Sequence, residues 1–327
     1  MAEQGRRKMG IIGSGLIGRS FAMIFASGGY KVTLFDLEPD QVSKAKADIQ
    51  TQLGSLEREG LLRGSLSVQQ QFDLITGVTD LATCVKDAFF VLECVPERLD
   101  IKRSVWSQID PLVTDDVILS SSTSALLPSA ISEGLRHKDR FIICHPTNPP
   151  FYAPLVEVVP SQWTRADVVQ TTMELLREVG QVPVLVKKEV AGFVLNRLQC
   201  AIIGEAWRLV RDGVMSAGDL DKVMSSGLGT RYAFIGPWET TYLNAEGMDS
   251  YVERYADMIF DIQKDQESAE KMAVGPTLDA IKTDMEAVAG PISDLQTRRQ
   301  WRDARLAALA KLKVDMAAAD QKAGPNK

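Results

Sequence analysis

The chain has 327 residues, of which 45% are hydrophobic, enough to form more than one packed core, so we expect two domains. Its 37 basic and 43 acidic residues give a net charge of −6, without the basic excess that binding a nucleic-acid backbone requires. The four cysteines have no metal-site spacing, and no apolar run approaches the roughly 20 residues of a membrane span. A basic cluster near the N-terminus resembles a secretory signal, but Arg19 interrupts the apolar stretch behind it. We therefore expect a cytoplasmic protein without a metal, and neither nucleic acid nor a membrane as its partner.

Apolar, β-branched segments alternate with helix-length amphipathic segments through the first half of the chain. This alternation is typical of βαβ units and predicts an α/β fold with a Rossmann-type, mostly parallel, doubly wound sheet. The predicted strands cover residues 8–12, 31–36, 89–95, 117–121, 141–145, 155–159 and 182–187. The charged stretch 39–60 is too long for a simple crossover. We expect it to form a helix or helical pair that stands off the sheet and reaches over a substrate.

Strand signals stop after Lys188, and helical patterns follow. In this half, helices are expected to start at Ser216 and Pro237. They are expected to stop at Gly213, Gly227 and Gly247. One last helix, rich in Arg, Lys, Ala and Leu, is predicted over 295–316. The boundary therefore separates a dinucleotide-binding domain, residues 1–188, from an all-α C-terminal domain, residues 189–327.

A glycine motif follows the first predicted strand and opens the first predicted helix. Its residues are Gly13, Ser14, Gly15, Leu16, Ile17 and Gly18. In this context the glycines permit a tight turn, close approach of the backbone to a pyrophosphate at the helix N-terminus, and packing of helix against strand. Asp36 ends the second predicted strand, about 20 residues after Gly13, at the spacing of a ribose-binding carboxylate. Because this carboxylate would repel a 2′-phosphate, the sequence predicts NAD rather than NADP as cofactor.

Polar residues follow three further predicted strands, at the sheet edge where Rossmann-type folds bind their ligands. They include Glu97, residues 120–124 and His145. The imidazole of His145 has the chemistry to accept a hydroxyl proton near neutral pH. The only other histidine, His137, lies in a charged loop where a solvated role is expected. A histidine at a strand end can also be structural, so the position of His145 alone does not decide its role.

Glu157 interrupts the apolar run 155–159, where an unpaired carboxylate would be costly to bury. A return strand after the loop at Pro150 would bring it beside His145, where it would fix the tautomer and stabilise the imidazolium. The alternative is an edge-strand glutamate that faces water. Asn196 poses a similar question, because it lies on an otherwise apolar helical face. It either caps a neighbouring loop or contacts the substrate.

Taken together, these motifs resemble those of the 3-hydroxyacyl-CoA dehydrogenases in order and spacing, from about residue 8 to residue 250. The segments that carry the resemblance are 13–18, Asp36, 95–97 with Lys102, 122–124, 145–149, 155–157 and 192–197. The resemblance implies that His145 is the catalytic base and Glu157 its carboxylate partner. It further implies that Ser124 and Asn196 orient the substrate.

The same resemblance implies that Glu97 and Lys102 contact the cofactor. Without it, the two residues would be interpreted as a solvated pair at a helix start. The resemblance also implies a homodimer that forms through the C-terminal domain.

A narrower resemblance covers nearly the whole chain, through segments 205–210, 227–237, 243–247 and 299–303. It points to a branch of the family that oxidises the 3-hydroxyl of L-gulonate to a 3-keto acid. Ser122 and Ala125 depart from the acyl-CoA enzymes, which favours a free 3-hydroxy acid as substrate. A free carboxylate needs a local cation, and Arg231 in a branch-specific loop is predicted to bind it through its planar guanidinium. The alternative is a surface arginine that stacks on Tyr232 or pairs with an acid.

Two other functions stay open. One is a short-chain 3-hydroxyacyl-CoA dehydrogenase, for which Lys44 and Lys46 could contact the nucleotide of CoA. The other is a structural lens protein, since the narrower branch includes crystallins. A purely structural descendant would be free to lose the predicted catalytic residues, and all four are present: His145, Glu157, Ser124 and Asn196.

Overall fold

The computed structural model describes residues 7–266 and 271–323, which form two compact units. The first unit ends at Arg197 and also includes Leu306–Leu312. The second contains the other described residues from Leu198 onward. The boundary predicted after Lys188 lies in the segment between the last strand of the first unit and the helix that begins at Leu195.

The first unit is built on one sheet of eight strands, ordered β3-β2-β1-β4-β5-β6-β7-β8. The strands are β1 (Lys8–Ile12), β2 (Lys31–Phe35), β3 (Ile75–Val78), β4 (Ala88–Glu93), β5 (Ile118–Ser121), β6 (Phe141–Pro146), β7 (Leu155–Pro160) and β8 (Val182–Leu185). Neighbouring strands are parallel, except that β7 runs antiparallel to β6. The doubly wound, mostly parallel sheet that the sequence predicts is confirmed.

Strand β3 is an element that the sequence analysis missed. Its four residues, Ile75-Thr76-Gly77-Val78, include a glycine and show no clear alternation of apolar and polar residues. Parallel pairing with β2, in which Val32 lies opposite Ile75, makes this segment a strand at the sheet edge. Strand formation here depends on a tertiary partner rather than on local propensity.

Helices cover both faces of the sheet and create two apolar cores. In the first unit they are α1 (Leu16–Ser27), α2 (Pro39–Arg58), α3 (Val68–Asp73), α4 (Leu81–Val85), α5 (Leu99–Ile109), α6 (Pro128–Ser132), α7 (Ala166–Glu178) and the start of α8 (Leu195–Arg211). Because successive strand residues point to opposite faces, Phe90 of β4 packs in the first core and Val91 in the second. His145 shares its face of β6 with Ile143 of the second core.

Helix α2 lies differently from the expectation for 39–60, which was wrong in placing this segment off the sheet. Its buried side chains Ala45, Ile49, Leu53 and Leu56 belong to the first core. At the sheet edge, a Cβ on Gly77 of β3 would lie only 2.3 Å from Val42 Cγ1. The charged composition of α2 concealed a continuous apolar stripe, and that stripe is buried.

The second unit is helical throughout its described residues. After α8 it contains α9 (Ala217–Lys222), a π-helical turn (Val223–Leu228), α10 (Gly229–Arg231), α11 (Pro237–Asn244), α12 (Met248–Asp265), α13 (Pro276–Ala289) and the parts of α14 (Leu295–Ala323) that flank Leu306–Leu312. Ser216 caps α9 and Pro237 begins α11, as predicted. Gly227 was wrongly expected to stop a helix, because the π-helical turn carries the chain through it. No helix among the described residues is long and apolar enough to cross a membrane.

Candidate active site

The glycine turn 13–18 joins β1 to α1 at the point where the strand order reverses between β1 and β4. Gly13 has φ +102°, and a Cβ there would lie 2.7 Å from the Cys94 carbonyl oxygen. A Cβ on Gly18 would lie 1.9 Å from the Gly13 carbonyl oxygen. A side chain at either position would force the turn apart, so both glycines are required by close packing of the backbone.

Gly15 has a different role in the same turn, since a Cβ there would meet nothing within 4 Å. It is the N-cap of α1, and no side chain caps the helix. The helix start at Leu16 and Ile17 therefore has open space beside Gly15 and no capping side chain. An uncapped helix N-terminus with room beside it suits a pyrophosphate.

Asp36 follows β2 and lies against this turn. Its Oδ2 accepts hydrogen bonds from the Ser14 backbone N–H at 2.9 Å and from Ser14 Oγ at 2.6 Å. Its Oδ1 accepts from the Leu37 backbone N–H at 2.9 Å. The turn, the uncapped helix and a carboxylate at the end of β2 fit the pyrophosphate and ribose of NAD.

His145 and Glu157 lie directly opposite each other in the antiparallel pair β6–β7. His145 Nδ1 is 2.8 Å from Glu157 Oε2, and the two side chains are only 6% and 2% exposed. The return strand that the sequence predicted thus brings the pair together, and the water-facing alternative for Glu157 is wrong. The ring of Phe193, 5.5 Å from the imidazole centroid, covers the pair.

The second oxygen of Glu157 accepts hydrogen bonds from the backbone N–H groups of Val194 and Leu195, at 2.8 and 2.9 Å. Burial acts to raise the pKa of Glu157, but the hydrogen bonds from His145 and these peptide groups hold it below its ordinary value. Glu157 is therefore ionised at neutral pH. The carboxylate both orients the imidazole and anchors the start of α8.

An ionised carboxylate can only accept hydrogen bonds, so Nδ1 of His145 carries a proton. In the neutral imidazole Nε2 is then the unprotonated nitrogen. Within residues 7–266 and 271–323, no group is hydrogen-bonded to Nε2. This nitrogen can accept a proton from a ligand.

Ser124 and Asn196 lie together on the loop after β5 and the first turn of α8. Asn196 Nδ2 donates to the Ser124 carbonyl oxygen at 2.7 Å. Asn196 was expected either to cap a neighbouring loop or to contact the substrate. Its amide nitrogen makes the loop contact. The Ser124 hydroxyl belongs to an exposed residue, and the Ser124 backbone N–H donates to Glu97 Oε1 at 2.9 Å.

Lys102 is buried, so its interpretation as part of a solvated pair with Glu97 is wrong. Its side chain is 1% exposed, and Nζ lies 2.7 Å from Glu93 Oε1, 3.2 Å from the Val95 carbonyl oxygen and 3.4 Å from Glu97 Oε2. Glu97 is 41% exposed and remains accessible to a ligand. The two residues predicted as cofactor contacts thus differ sharply in accessibility.

The sequence analysis missed Glu93, the partner that explains the burial of Lys102. Glu93 is fully buried at the end of β4. The signal was present, because Glu93 ends the apolar run Ala88–Glu93 just as Glu157 interrupts the run 155–159. A carboxylate inside an apolar strand needs a partner in both cases.

His137 is also buried, at 4% exposure, which contradicts the expected solvated role. Its Nδ1 lies 2.7 Å from Asp110 Oδ1 and its Nε2 lies 2.9 Å from Asp115 Oδ1. Asp110 is the C-cap of α5 and Asp115 lies in the segment before β5, so both carboxylates come from outside the loop that carries His137. The acids that pair with His137 are therefore not the charged residues beside it in the sequence.

Three further cations were predicted to bind a ligand. They are Arg231, for a substrate carboxylate, and Lys44 and Lys46, for the nucleotide of CoA. Arg231 ends α10 in the second unit, is exposed, and forms no hydrogen bond or ion pair with the described residues. Lys44 is exposed on α2. Lys46 Nζ instead lies 3.7 Å from the Phe72 ring centroid and donates to the Phe72 and Ile75 carbonyl oxygens, so its charge is already engaged.

A dinucleotide turn and a buried histidine–carboxylate pair, which follow or end strands of one sheet, define an NAD-dependent dehydrogenase site, and comparison with known proteins agrees. The 3-hydroxyacyl-CoA dehydrogenase NAD-binding domain matches residues 8–190, and the C-terminal domain of these enzymes matches residues 192–277. The chain belongs to the 3-hydroxyacyl-CoA dehydrogenase family. It is therefore an NAD-dependent oxidoreductase acting on a CH–OH group.

Similarity to individual proteins shows where this chain belongs within the family. The chain is 50% identical over 307 residues to lambda-crystallin of Oryctolagus cuniculus, covering 94% of this chain and 96% of that one. It is 37% identical over 238 residues to L-carnitine dehydrogenase of Pseudomonas aeruginosa, covering 73% and 71%. A solved NAD⁺-dependent 5-formyl-3-hydroxy-2-methylpyridine 4-carboxylic acid 5-dehydrogenase superposes with a TM-score of 0.79 at 28% identity, covering 94% and 97%. The chain is a lambda-crystallin-like member of the family.

Proposed function

We propose that this protein oxidises the 3-hydroxyl of L-gulonate, or of a similar free 3-hydroxy acid, to the 3-keto acid with NAD. The observation that carries the proposal is the His145–Glu157 pair. It combines a buried imidazole, held at Nδ1 by a carboxylate 2.8 Å away, with an Nε2 that no described residue engages. That arrangement is the one a general base requires.

In the proposed reaction, Nε2 of His145 accepts the proton of the substrate hydroxyl as the carbon–oxygen bond becomes a carbonyl. The imidazolium that forms is stabilised by the ionised Glu157, and the low exposure of both side chains strengthens that attraction. Ser124 and Asn196 orient the substrate hydroxyl toward Nε2. The chemistry that NAD supplies when bound is uptake of a hydride from the same carbon.

A free acid is preferred over a CoA thioester for two reasons. First, L-carnitine and the pyridine carboxylic acid named for two relatives both carry a free carboxylate. Second, Lys46, one of two lysines considered for CoA binding, already has its ammonium engaged by backbone oxygens and the Phe72 ring. The departures at Ser122 and Ala125 point in the same direction.

We further propose that Arg231 recognises the substrate carboxylate. An exposed guanidinium without a described partner is available for a bidentate ion pair. We expect Arg231→Met to raise the KM for L-gulonate by well over tenfold, at a cost of about 2–5 kcal/mol if the pair is desolvated, while the KM for NAD stays unchanged. Arg254→Met is the matched control, because Arg254 is an exposed arginine of the same unit already paired with Glu246. Equal KM values for the two variants would move carboxylate binding to another cation, with Arg197 tested next.

One assay separates the proposed function from its alternatives. NADH formation is followed in parallel with L-gulonate, 3-hydroxybutyrate and a 3-hydroxyacyl-CoA as substrates. The highest kcat/KM with L-gulonate is expected, whereas preference for the CoA ester would establish the acyl-CoA alternative. A folded protein that binds NADH but turns over none of the three would favour a structural lens role.

We also propose that the protein is a homodimer formed through the second unit. This unit exposes several large apolar side chains, namely Phe234, Trp238, Leu243 and Phe260. Exposed apolar surface of this kind often marks a protein–protein interface. Light scattering after size-exclusion chromatography should give about twice the 35.9 kDa mass of the chain.

A further inference from the structure

A buried ion pair, formed by Glu93 and Lys102, lies at the end of strand β4. Glu93 is 0% exposed and Lys102 is 1% exposed, although neither has a place in the proton transfer. Burying two charges is expensive, and their mutual attraction alone often fails to offset the loss of hydration. A buried ion pair at the edge of an active site therefore requires an explanation beyond stability.

The side chain of Glu93 contacts helix α5, the segment after β4, and β5. Oε1 accepts from Lys102 Nζ at 2.7 Å and from the Val95 backbone N–H at 2.8 Å. Oε2 accepts from Ser121 Oγ at 2.7 Å. The carboxylate thus ties together the carboxyl ends of two neighbouring strands, at the edge where the ligand-binding loops begin.

Lys102 links Glu93 to Glu97. Its ammonium lies between the carboxylates of Glu93 and Glu97, and Glu97 Oε1 in turn accepts from Thr123 Oγ1 and from the backbone N–H groups of Ser124 and Ala125. A continuous path of hydrogen bonds and ion pairs therefore runs from a fully buried carboxylate to the backbone of Ser124. The Ser124 carbonyl oxygen receives the amide of Asn196.

We propose that Glu93 and Lys102 are positioning residues, which hold Glu97 and the Ser124–Ala125 backbone in the arrangement that binds NAD and orients the substrate. Glu93 acts through Lys102, whose ammonium lies among three oxygens of the chain and whose side chain is 1% exposed. This inference rests on the proposed roles of Glu97 and Ser124.

The geometry explains why the pair is charged. A neutral side chain at 102 could fill the same volume, but it could not hold the half-exposed carboxylate of Glu97 against the loop after β5. Removing Glu93 alone would leave an ammonium without its buried partner, drawing Glu97 away from the peptide groups of Ser124 and Ala125. Removing both charges relieves that conflict and leaves Glu97 with its three hydrogen bonds to the loop.

A double-mutant cycle tests the inference, with Glu93→Gln, Lys102→Met and the combined variant. NADH affinity is measured by fluorescence titration without substrate, and kcat with the best substrate of the panel. We expect each single variant to bind NADH about tenfold more weakly and to lose at least as much kcat, with the double variant closer to wild type than the product of the singles. Because the titration needs no substrate, failure of L-gulonate as substrate leaves this result interpretable.

Asp110→Asn is the control, since Asp110 is a buried carboxylate immediately after the same helix α5 but lies among the contacts of His137. It should lower the melting temperature without changing NADH affinity or kcat. Ser121→Ala is a milder probe that removes one hydrogen bond to Glu93 and should weaken NADH binding about two- to fivefold. Variants that melt earlier but keep wild-type NADH affinity and kcat would overturn the inference, and if Glu93→Gln fails to fold, unchanged values for Ser121→Ala would overturn it.

Discussion

The two histidines of the chain are both buried and both hydrogen-bonded to carboxylates, yet they are built for different tasks. His145 Nδ1 lies 2.8 Å from Glu157, and no described group engages its Nε2. His137 has carboxylates on both nitrogens, at 2.7 Å from Asp110 and 2.9 Å from Asp115. Burial and a carboxylate partner are therefore common to both, and only the second nitrogen distinguishes them.

The difference teaches that an available nitrogen, rather than an acidic neighbour, marks the histidine that can do chemistry. At His137 the two carboxylates favour the imidazolium. Although burial acts to lower it, the hydrogen bonds that Asp115 and Asp110 accept from the ring raise the pKa of His137 above its ordinary value. A histidine with both ring nitrogens hydrogen-bonded to carboxylates has no nitrogen available to accept a proton from a substrate.

The strongest test of this comparison exchanges each histidine for asparagine. His145→Asn removes the base while keeping a polar side chain, so kcat should fall by roughly 10²–10⁴. NADH binding, measured by fluorescence titration, should survive. His137→Asn should leave kcat near the wild-type value, and a comparable loss of turnover in both variants would erase the proposed distinction.

The next largest effect is expected when the carboxylate partner of each histidine is replaced by its amide. In Glu157→Gln the amide oxygen can still accept from Val194 and Leu195, but its NH₂ group then faces Nδ1 and moves the imidazole proton to Nε2. We expect kcat to fall by about 10²-fold, the lower end of what general base catalysis contributes. Asp110→Asn is the matched exchange at His137 and should change stability alone. Full activity in Glu157→Gln would show that the carboxylate anchors α8 without serving His145.

The smallest expected effect is a dependence of stability on pH. Since the folded-state pKa of His137 is raised, its ion pairs contribute fully below the unfolded-state pKa and are lost as pH rises through the folded-state value. His137→Asn should therefore destabilise the protein at pH 5.5 by about 1.5–3 kcal/mol, the range for hydrogen bonds to charged groups, and by less at pH 9. Urea unfolding at both pH values measures the difference. A destabilisation that grows with pH would mean that His137 is neutral in the folded protein.

Much of the fold followed from local pattern. Seven of the eight strands were predicted within two residues of their observed ends, because buried parallel strands are continuous apolar runs between turn residues. Strand β3 was missed because its short, glycine-containing sequence becomes a strand only by pairing with β2. Gly18 was found because its requirement is local, a Cβ too close to the Gly13 carbonyl oxygen, whereas the close contact at Gly13 is with Cys94 after β4.

The sequence by itself determined the dinucleotide turn and the alternation of strands and helices, and it marked Glu157 as a carboxylate that would need a partner if buried. Only the tertiary structure decided that Glu93 is the partner of Lys102, that His137 lies between two aspartates, and that Nε2 of His145 is unengaged. The physical reason is that the composition of a segment and the periodicity of its apolar residues indicate whether a residue is buried. The group that compensates a buried charge comes from another strand, helix or loop, 9 residues away for Glu93 and 27 for His137, and only chain folding brings it within hydrogen-bonding distance.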